Sequence, residues 1–222
     1  MKTCGMRTAE AVDIAIGAGA DAIGFILAPS KRQVTVAEVI AIREATGVPY
    51  DVLPPFAGVT VNPTGHDIAV IAESGAFDIL QLSGDEDPAI LERVPGSLSV
   101  WKALRPGPED RIDEVLRTVA RWLDGPRPVE RVMLDAFHPG AYGGSGVRGN
   151  WAIAEAVAMH YPIVLAGGLT PDNVETAIAE VKPFGVDAAS GMETDGVKDP
   201  AKIVAFVQAA KAAGCSLAGG TA

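Results

Sequence analysis

Short apolar runs alternate along the chain with longer segments in which apolar residues recur every three or four positions. The short runs are typical of buried β-strands, and the longer segments are typical of helices that bury one face. Their regular alternation predicts a parallel sheet joined by right-handed helical crossovers. The predicted strands are residues 2–4, 22–27, 56–61, 79–82, 100–103, 129–134, 163–166 and 186–189.

The segments between these strands predict eight helices. Two helix starts are marked by a capping residue followed by proline, Thr170 with Pro171 and Asp199 with Pro200. Eight consecutive βα units are the number that closes a (β/α)8 TIM barrel, so the predicted fold class is α/β. The predicted helices are residues 8–17, 36–46, 65–74, 88–93, 108–123, 151–160, 171–181 and 200–213.

An open, doubly wound sheet is the alternative fold, and it usually carries a glycine fingerprint after its first strand. The first turn here, Cys4-Gly5-Met6-Arg7, does not have that pattern. The 222 residues contain no obvious linker, and a barrel of this length commonly forms one domain. We therefore expect one domain over residues 1–222, with a short tail, ordered or disordered, from about residue 214.

Composition narrows the function classes. No apolar run approaches the ~18 residues that span a bilayer, and the N-terminus lacks an apolar signal segment, which predicts a cytoplasmic protein without membrane contact. Cys4 and Cys215 lack metal-ligand spacing, so a zinc site and a disulfide framework are not expected. The net charge of −10 argues against nucleic acid but leaves a small phosphate ester possible as ligand.

Two side chains at strand ends are the candidates for proton transfer. Asp135 follows the sixth predicted strand, and in barrels the carboxyl ends of strands carry the catalytic groups. Cys4 ends the first strand and would face the same mouth, although a thiol with a reference pKa of about 8.5 needs a lowered pKa to act as a base. The N-terminus of the first helix is one group that could lower it. The alternatives are that Asp135 caps a turn and that Cys4 is an inert core residue.

Glycine-rich segments follow the seventh and eighth predicted strands, where barrels often hold phosphate groups. The candidate phosphate ligands there are Gly167 and Gly168 in one loop and Ser190 and Gly191 in the other, with ordinary glycine turns as the alternative. The segment 141–146, which includes Gly144, is predicted to be a lid, a further part of this cradle or a surface loop.

Charged residues near the predicted mouth suggest two further roles. Arg32, in the loop after the second strand, could bind a carboxylate with two parallel hydrogen bonds, or it could simply be solvated. Lys2 and Lys102 fall on strand positions predicted to point into the barrel, where each needs an acidic partner. Alternation predicts that Lys2 pairs with Asp187 on the last strand; without that pair, Asp187 would line the substrate pocket.

Taken together, these segments resemble the phosphoribosylanthranilate isomerases of tryptophan biosynthesis from residue 2 to about residue 210. Each segment is weak alone, and the set is specific. The matching segments are residues 2–5, 19–25, 30–32, 81–82, 84–86, 134–135, 142–146, 166–174 and 186–191.

The resemblance implies an aldose–ketose isomerase that needs no metal or cofactor. It would convert N-(5-phosphoribosyl)anthranilate into 1-(2-carboxyphenylamino)-1-deoxyribulose 5-phosphate by an Amadori rearrangement. By motif position, Asp135 would be the general acid, Cys4 the general base and Arg32 the ligand of the anthranilate carboxylate. The glycine loops would hold the phosphate. Such an enzyme binds a small phosphosugar, and monomer and homodimer both remain open.

The chain departs from the family pattern at three places, one of which is Thr3 in the short first strand, where an aliphatic residue is usual. Ser83 stands where the family usually has histidine after Gln81 and Leu82, and Val147 stands where a basic residue usually follows the Gly-Ser-Gly segment, with Arg148 one place later. Gln81 and Ser83 are therefore candidate pocket residues. Alternative functions are the histidine-pathway phosphoribosyl aminoaldose isomerase, which has aspartate at the position of Cys4, a dual-substrate isomerase and a non-catalytic phosphosugar-binding barrel.

Overall fold

A computed structural model describes residues 1–107, 109–125, 127–135 and 150–214 of the chain. Eight parallel strands form a closed barrel, with each strand paired to its neighbours in sequence order and β1 paired to β8. The predicted TIM barrel is confirmed, and the open sheet is excluded. The strands are β1 Lys2–Cys4, β2 Ala22–Ile26, β3 Phe56–Thr60, β4 Ile79–Leu82, β5 Ser99–Leu104, β6 Arg131–Leu134, β7 Ile163–Leu165 and β8 Gly185–Ala188.

Seven α-helices, within the described ranges, lie between and after these strands. They are α1 Ala9–Ala18, α2 Val36–Ala45, α3 Gly65–Glu73, α4 Ile112–Leu123, α5 Trp151–Ala158, α6 Val174–Val181 and α7 Pro200–Ala212. Short 3-10 helices cover Tyr50–Val52, Pro88–Arg93 and Ser190–Met192, and a small hairpin pairs β9 Glu193–Thr194 with β10 Val197–Lys198. Within the described part of the chain, no helix is long and apolar enough to cross a membrane.

The strands are buried on both faces, which explains why they appear as continuous apolar runs in the sequence. The outer face packs against the helices and forms the larger core. The inner face forms a second, smaller layer inside the barrel, and side chains alternate between the two layers. The apolar residues of the inner layer are Ala57, Ile79, Trp101, Ala103, Met133, Val164 and Ala166.

Helix starts follow the local capping signals in most units. Thr35 and Glu38 form a capping box at α2, and Asp199 caps α7 with Pro200 in its first turn, as predicted. The prediction that Thr170 and Pro171 start a helix is wrong, because α6 begins at Val174.

Asn173 accounts for the later start of α6. Its side chain accepts a hydrogen bond from the Thr170 N–H at 2.9 Å and donates one to the Gly168 carbonyl at 2.9 Å. These bonds hold the preceding residues in a turn. In the fourth unit the predicted helix over residues 88–93 is a 3-10 helix.

The two buried lysines of the strands face opposite layers. Lys2 points into the barrel, as predicted, but Lys102 points outward, so the prediction for Lys102 is wrong. The Lys102 ammonium donates to the Gly84 carbonyl at 2.7 Å, pairs with Glu86 and lies 5.2 Å from the centre of the Trp122 ring in α4. The acidic partner and the aromatic face offset part of the cost of burying this charge, but burial dominates and the pKa of Lys102 is lowered.

Candidate active site

The carboxyl ends of the strands bring several of the predicted site residues to one mouth of the barrel. Cys4 is the last residue of β1, Asp135 follows β6 directly, and Asp187 lies in β8. Alternation along the strands places them on the inner face, because Cys4 has the parity of Lys2 and Asp135 has that of Met133. An acid and a thiol from non-adjacent strands therefore share the inner face at one end of the barrel.

Cys4 is closely surrounded by its neighbours on the inner face. It is 5% exposed, and in the sheet register it lies beside Gly24 of β2. A Cβ atom built on Gly24 would stand 2.7 Å from the Cys4 Sγ and 3.0 Å from the Lys2 Nζ. The missing side chain at Gly24 thus makes the space in which the thiol and the ammonium meet.

The predicted ion pair between Lys2 and Asp187 is confirmed. The two residues are partners in the register of β1 and β8, and Lys2 Nζ lies 3.0 Å from Asp187 Oδ1. The Lys2 side chain is fully buried. Burial by itself would lower the pKa of Lys2, but the charges and hydrogen bonds of Asp187 and Cys4 outweigh it, so that the pKa of Lys2 is raised.

The pKa of Cys4 is raised above its ordinary value, mainly because burial disfavours the charged thiolate. The positive charge of Lys2 opposes this effect, the Asp187 carboxylate adds to it, and the positive charge of Lys198 opposes it again. The charges that favour the thiolate are therefore those of two lysines, Lys2 and Lys198. The sequence analysis had suggested the N-terminus of α1 for this role, but α1 begins five residues after Cys4, at Ala9.

Asp135 lies at the rim of the barrel and is half-buried. Its backbone N–H donates to the Leu104 carbonyl at 2.9 Å, which continues the hydrogen-bonding of β6 to β5 by one residue and fixes where the side chain leaves the strand. The segment that follows, with Gly144 and Val147, lies outside the described residues.

Arg32 is buried at the mouth and is bound by a carboxylate of the protein itself. Its Nε donates to Glu193 Oε1 at 2.6 Å and its Nη2 to Glu193 Oε2 at 2.8 Å, a bidentate pair in which the two side chains are 4% and 5% exposed. The Lys198 ammonium donates to the same Glu193 Oε1 at 3.0 Å and to the Ala189 carbonyl at 2.7 Å. These bonds join the loop after β2 to the segment after β8.

Glu193 and Lys198 were missed by the sequence analysis. They flank Asp195 and Gly196, which both have positive φ angles of 52° and 78° and form a tight hairpin turn. An Asp-Gly pair between short strands is a known hairpin signal, so the hairpin could have been predicted. Its approach to Arg32 could not, because that contact joins residues 161 positions apart.

The two candidate phosphate loops lie against each other. A Cβ atom on Gly191 would overlap the Leu169 carbonyl oxygen, so glycine is required for this approach. Gly167 and Gly168 have φ angles of 87° and 66°, and neither N–H has an acceptor among the described residues. Both N–H groups can therefore donate to a bound anion, and Gly191, with Ser190 directly before it, packs against the next two residues, Leu169 and Thr170.

Gln81 and Ser83, the candidate pocket residues, contact each other. Gln81 Nε2 donates to Ser83 Oγ at 3.1 Å, and both side chains are buried. Gln81 Oε1 is buried without a hydrogen-bond partner among the described residues. A buried amide oxygen in that state can accept a hydrogen bond from a bound molecule.

Within the described ranges, no cluster of three or more His, Cys, Asp or Glu side chains is arranged to hold a metal ion. The groups at the mouth are instead an acid, a thiol between charged neighbours, an arginine and an array of backbone N–H groups. This set suits proton transfer on an anionic molecule.

Comparison with known proteins decides the family. The model of the family described as N-(5'-phosphoribosyl)anthranilate (PRA) isomerase matches residues 1–209. The chain belongs to the phosphoribosylanthranilate isomerase family. The family that the sequence motifs suggested is thereby confirmed.

Individual relatives of the phosphoribosylanthranilate isomerase family match over almost the whole chain. The N-(5'-phosphoribosyl)anthranilate isomerase of Roseiflexus castenholzii is 42% identical over 216 residues, which cover 96% of this chain and 98% of the relative. The crystal structure of phosphoribosyl anthranilate isomerase from Thermotoga maritima superimposes with a TM-score of 0.79 at 28% identity, covering 95% of this chain and 98% of the other.

A second solved structure of the family contains a bound molecule. It is a phosphoribosyl anthranilate isomerase in complex with reduced 1-(o-carboxyphenylamino)-1-deoxyribulose 5-phosphate. Its TM-score is 0.76 at 28% identity, and the match covers 95% of this chain and 97% of that one. The similarity to each of these two structures therefore covers 95% of this chain.

Proposed function

We propose that this chain catalyses the Amadori rearrangement of N-(5-phosphoribosyl)anthranilate to 1-(2-carboxyphenylamino)-1-deoxyribulose 5-phosphate. Membership of the isomerase family and the presence of an acid and a thiol on the same inner face support this proposal. The single observation that carries the chemistry is that Cys4 ends β1 and Asp135 directly follows β6, a non-adjacent strand. A sugar ring lying across the mouth would therefore have one of them on each side.

Two proton transfers are assigned to the protein: one to the ring oxygen of the sugar and one from its C2 carbon. Asp135 donates a proton to the furanose ring oxygen, and the C1–O bond breaks to give a Schiff base with the anthranilate nitrogen. The Cys4 thiolate then removes the proton from C2, and the electron pair moves to the nitrogen. The resulting enolamine becomes the ketone when C1 gains a proton and the C2 hydroxyl loses one.

The substrate has an anionic group at each end, a phosphate and a carboxylate, and each needs its own binding site. We assign the phosphate to the N–H groups of Gly167 and Gly168 with Ser190 and Gly191, and Gly144 is proposed to complete this cradle. Arg32 is assigned to the anthranilate carboxylate. Its Nη1 group has no partner among the described residues, so it can bind a second carboxylate while Glu193 holds the other edge.

Loss of fluorescence as phosphoribosylanthranilate is consumed tests this function. Cys4→Ser and Asp135→Asn are each expected to lower kcat by roughly 100-fold or more, the usual effect of losing a general base or acid. Circular dichroism of both variants would show whether the barrel is intact. Near-normal turnover by a folded variant would refute the role assigned to that residue, and absence of turnover by the parent protein would refute the activity itself.

The histidine-pathway aminoaldose isomerase remains the alternative reaction because its chemistry is the same. Cys4 argues against it, since that enzyme has aspartate at this position. Running its substrate in parallel separates the isomerase of tryptophan biosynthesis from a dual-substrate enzyme. A chain that binds the phosphosugar but converts neither substrate would be a binding protein.

We also propose that the protein works in the cytoplasm, without metal or cofactor, as a monomer or a homodimer. All residues assigned to the substrate come from one barrel, so a monomer could hold the complete site. Sedimentation velocity of the purified protein measures the oligomeric state, and activity after dialysis against a chelator tests the absence of a metal requirement. Loss of activity that is restored by a divalent metal would contradict the second expectation.

A further inference from the structure

The proposed mechanism leaves unused a buried ion pair on the inner face of β1 and β8 and a buried lysine from the β9–β10 hairpin. Lys2, fully buried, reaches the same point above Gly24 as the Cys4 sulfur, within 3.0 Å in each case. A buried ammonium is costly, and an apolar side chain of similar volume often serves packing as well or better. The position of this charge beside a thiol therefore suggests a role in the chemistry of that thiol.

Lys198 approaches the same region from the other end of the chain. Its ammonium is fixed by the Ala189 carbonyl and by Glu193, and it lies 3.6 Å from the point where a Cβ of Gly5 would stand. Gly5 directly follows Cys4 and has a φ of 77°. The hairpin thus brings a second cation to the backbone that carries the thiol.

We propose that Lys2 and Lys198 are positioning residues that act through Cys4: their ammonium groups stabilise its thiolate and so make it available as the general base. This inference rests on the proposed function, because Cys4 is the base only in that reaction. Asp187 and Glu193 hold the two ammonium groups in place, each from its own side.

The balance of charges around the thiol supports this arrangement. The charged groups that face Cys4 are Lys2 on β1, Asp187 on β8, and Lys198 with its partners Glu193 and Arg32. Burial raises the pKa of Cys4, the charge of Lys2 lowers it more than that of Asp187 raises it, and Lys198 lowers it further. Removal of either lysine should therefore leave the thiolate less stable at neutral pH.

Titration of the Cys4 thiol tests whether the two lysines stabilise its thiolate, and it does not require turnover. In a Cys215→Ser background, thiolate absorbance in the ultraviolet is followed against pH, with the spectrum of a Cys4→Ser variant subtracted to remove the tyrosines. Lys2→Met and Lys198→Met are each expected to raise the midpoint by about one pH unit or more, equivalent to a tenfold smaller thiolate fraction at neutral pH. The rise of kcat with pH should move in the same direction.

Lys102→Met is the matched control. It removes another buried lysine from an ion pair on a strand, but Lys102 faces the outer helices and not the thiol. Its thiol titration should coincide with that of the parent. A shift of similar size in this control would overturn the proposal, because the effect would then follow from general loss of stability.

The remaining outcomes are also decisive. Unchanged titration midpoints of the thiol in folded Lys2→Met and Lys198→Met variants overturn the proposal. If Lys2→Met does not fold, Lys2→Gln takes its place, because glutamine keeps a hydrogen-bond donor toward Asp187. If the midpoints shift but Cys4→Ser retains full turnover, the electrostatic effect stands and the proposed role of Cys4 fails. If Cys4→Ser is inactive and the midpoints do not shift, the proposed function stands and this inference fails.

Discussion

Gly24 determines, by the absence of a side chain, where the sulfur of Cys4 can lie. Its register partner on β1 is Cys4 itself, and a methyl group there would be 2.7 Å from the sulfur, well inside van der Waals contact. No reasoning about secondary structure would single out this glycine, because it lies in the middle of a strand that is otherwise apolar. Its importance follows from the cross-strand neighbour and not from the conformation of its own backbone.

Gly24→Ala is expected to lower kcat at least roughly tenfold, because displacing a reacting group by a fraction of an ångström to one ångström is costly even when the fold is kept. The measurement is steady-state turnover together with the thermal unfolding midpoint. Gly17→Ala is the control, since a Cβ there meets nothing within 4 Å and alanine should favour the helix by about 0.5–1 kcal/mol. Turnover of Gly24→Ala equal to that of the control would show that the thiol tolerates the methyl group.

At the scale of elements, the site depends on loops that touch across neighbouring units. The loops after β7 and β8 meet where Gly191 faces the Leu169 carbonyl, and the β9–β10 hairpin meets the loop after β2 through Glu193 and Arg32. The glycine content of the two loops after β7 and β8 marked them as candidate phosphate ligands, but it did not predict the contact of Gly191 with Leu169. The start of α6 was predicted wrongly because the Asn173 side chain, and not Thr170, organises that turn.

Gly191→Ala should separate the two loops, because the added methyl group would overlap backbone and not a flexible side chain. We expect KM for phosphoribosylanthranilate to rise about tenfold, which corresponds to about 1.4 kcal/mol of lost binding, with a smaller effect on kcat. Inhibition by inorganic phosphate should weaken in parallel.

Gly96→Ala serves as the reference for this substitution, since its added Cβ would lie in open space. An unchanged KM in the Gly191 variant, combined with an unchanged phosphate inhibition constant, would contradict the assignment of the phosphate to these loops.

For the whole molecule, the repeated alternation of strand and helix predicted the barrel correctly, because eight similar units leave few ways to bury both faces of the strands. The pair between Lys2 and Asp187 was also predictable, since alternation and closure of the barrel place the first strand beside the last. The bidentate pair of Arg32 with Glu193 was not, since no periodic pattern links two loops so distant in sequence.

The two ion pairs of Glu193, with Arg32 and with Lys198, should make the free energy of unfolding depend on pH. Burial would raise the pKa of Glu193, but the hydrogen bonds and charges of Arg32 and Lys198 lower it from 4.5 to about 2. Because the folded pKa lies below the unfolded value, this stabilisation is present above about pH 4.5 and is lost as the pH falls towards 2. The shift corresponds to about 3 kcal/mol at neutral pH.

Glu193→Gln should therefore lower the free energy of unfolding at neutral pH by up to about 3 kcal/mol and by much less in strong acid. Urea unfolding at neutral pH and at about pH 3 measures the difference. Asp113→Asn provides the comparison, because that carboxylate pairs with Arg111 and Arg117 on the exposed surface of α4 and should change stability little. A Glu193→Gln variant with the parent's stability at neutral pH would contradict this account.

The thiol and one of its cations are contributed by the first four residues, whereas the acid that holds Lys2 and the second cation come from residues 187 and 198. Nearly the entire polypeptide must therefore be synthesised before Cys4, the proposed base, can acquire these neighbours. Any amino-terminal fragment ending before the last strand would carry Cys4 and Lys2 without Asp187 and Lys198. If the two lysines stabilise the thiolate as proposed, a refolding experiment that follows thiol ionisation would time the moment at which the two ends of the chain meet.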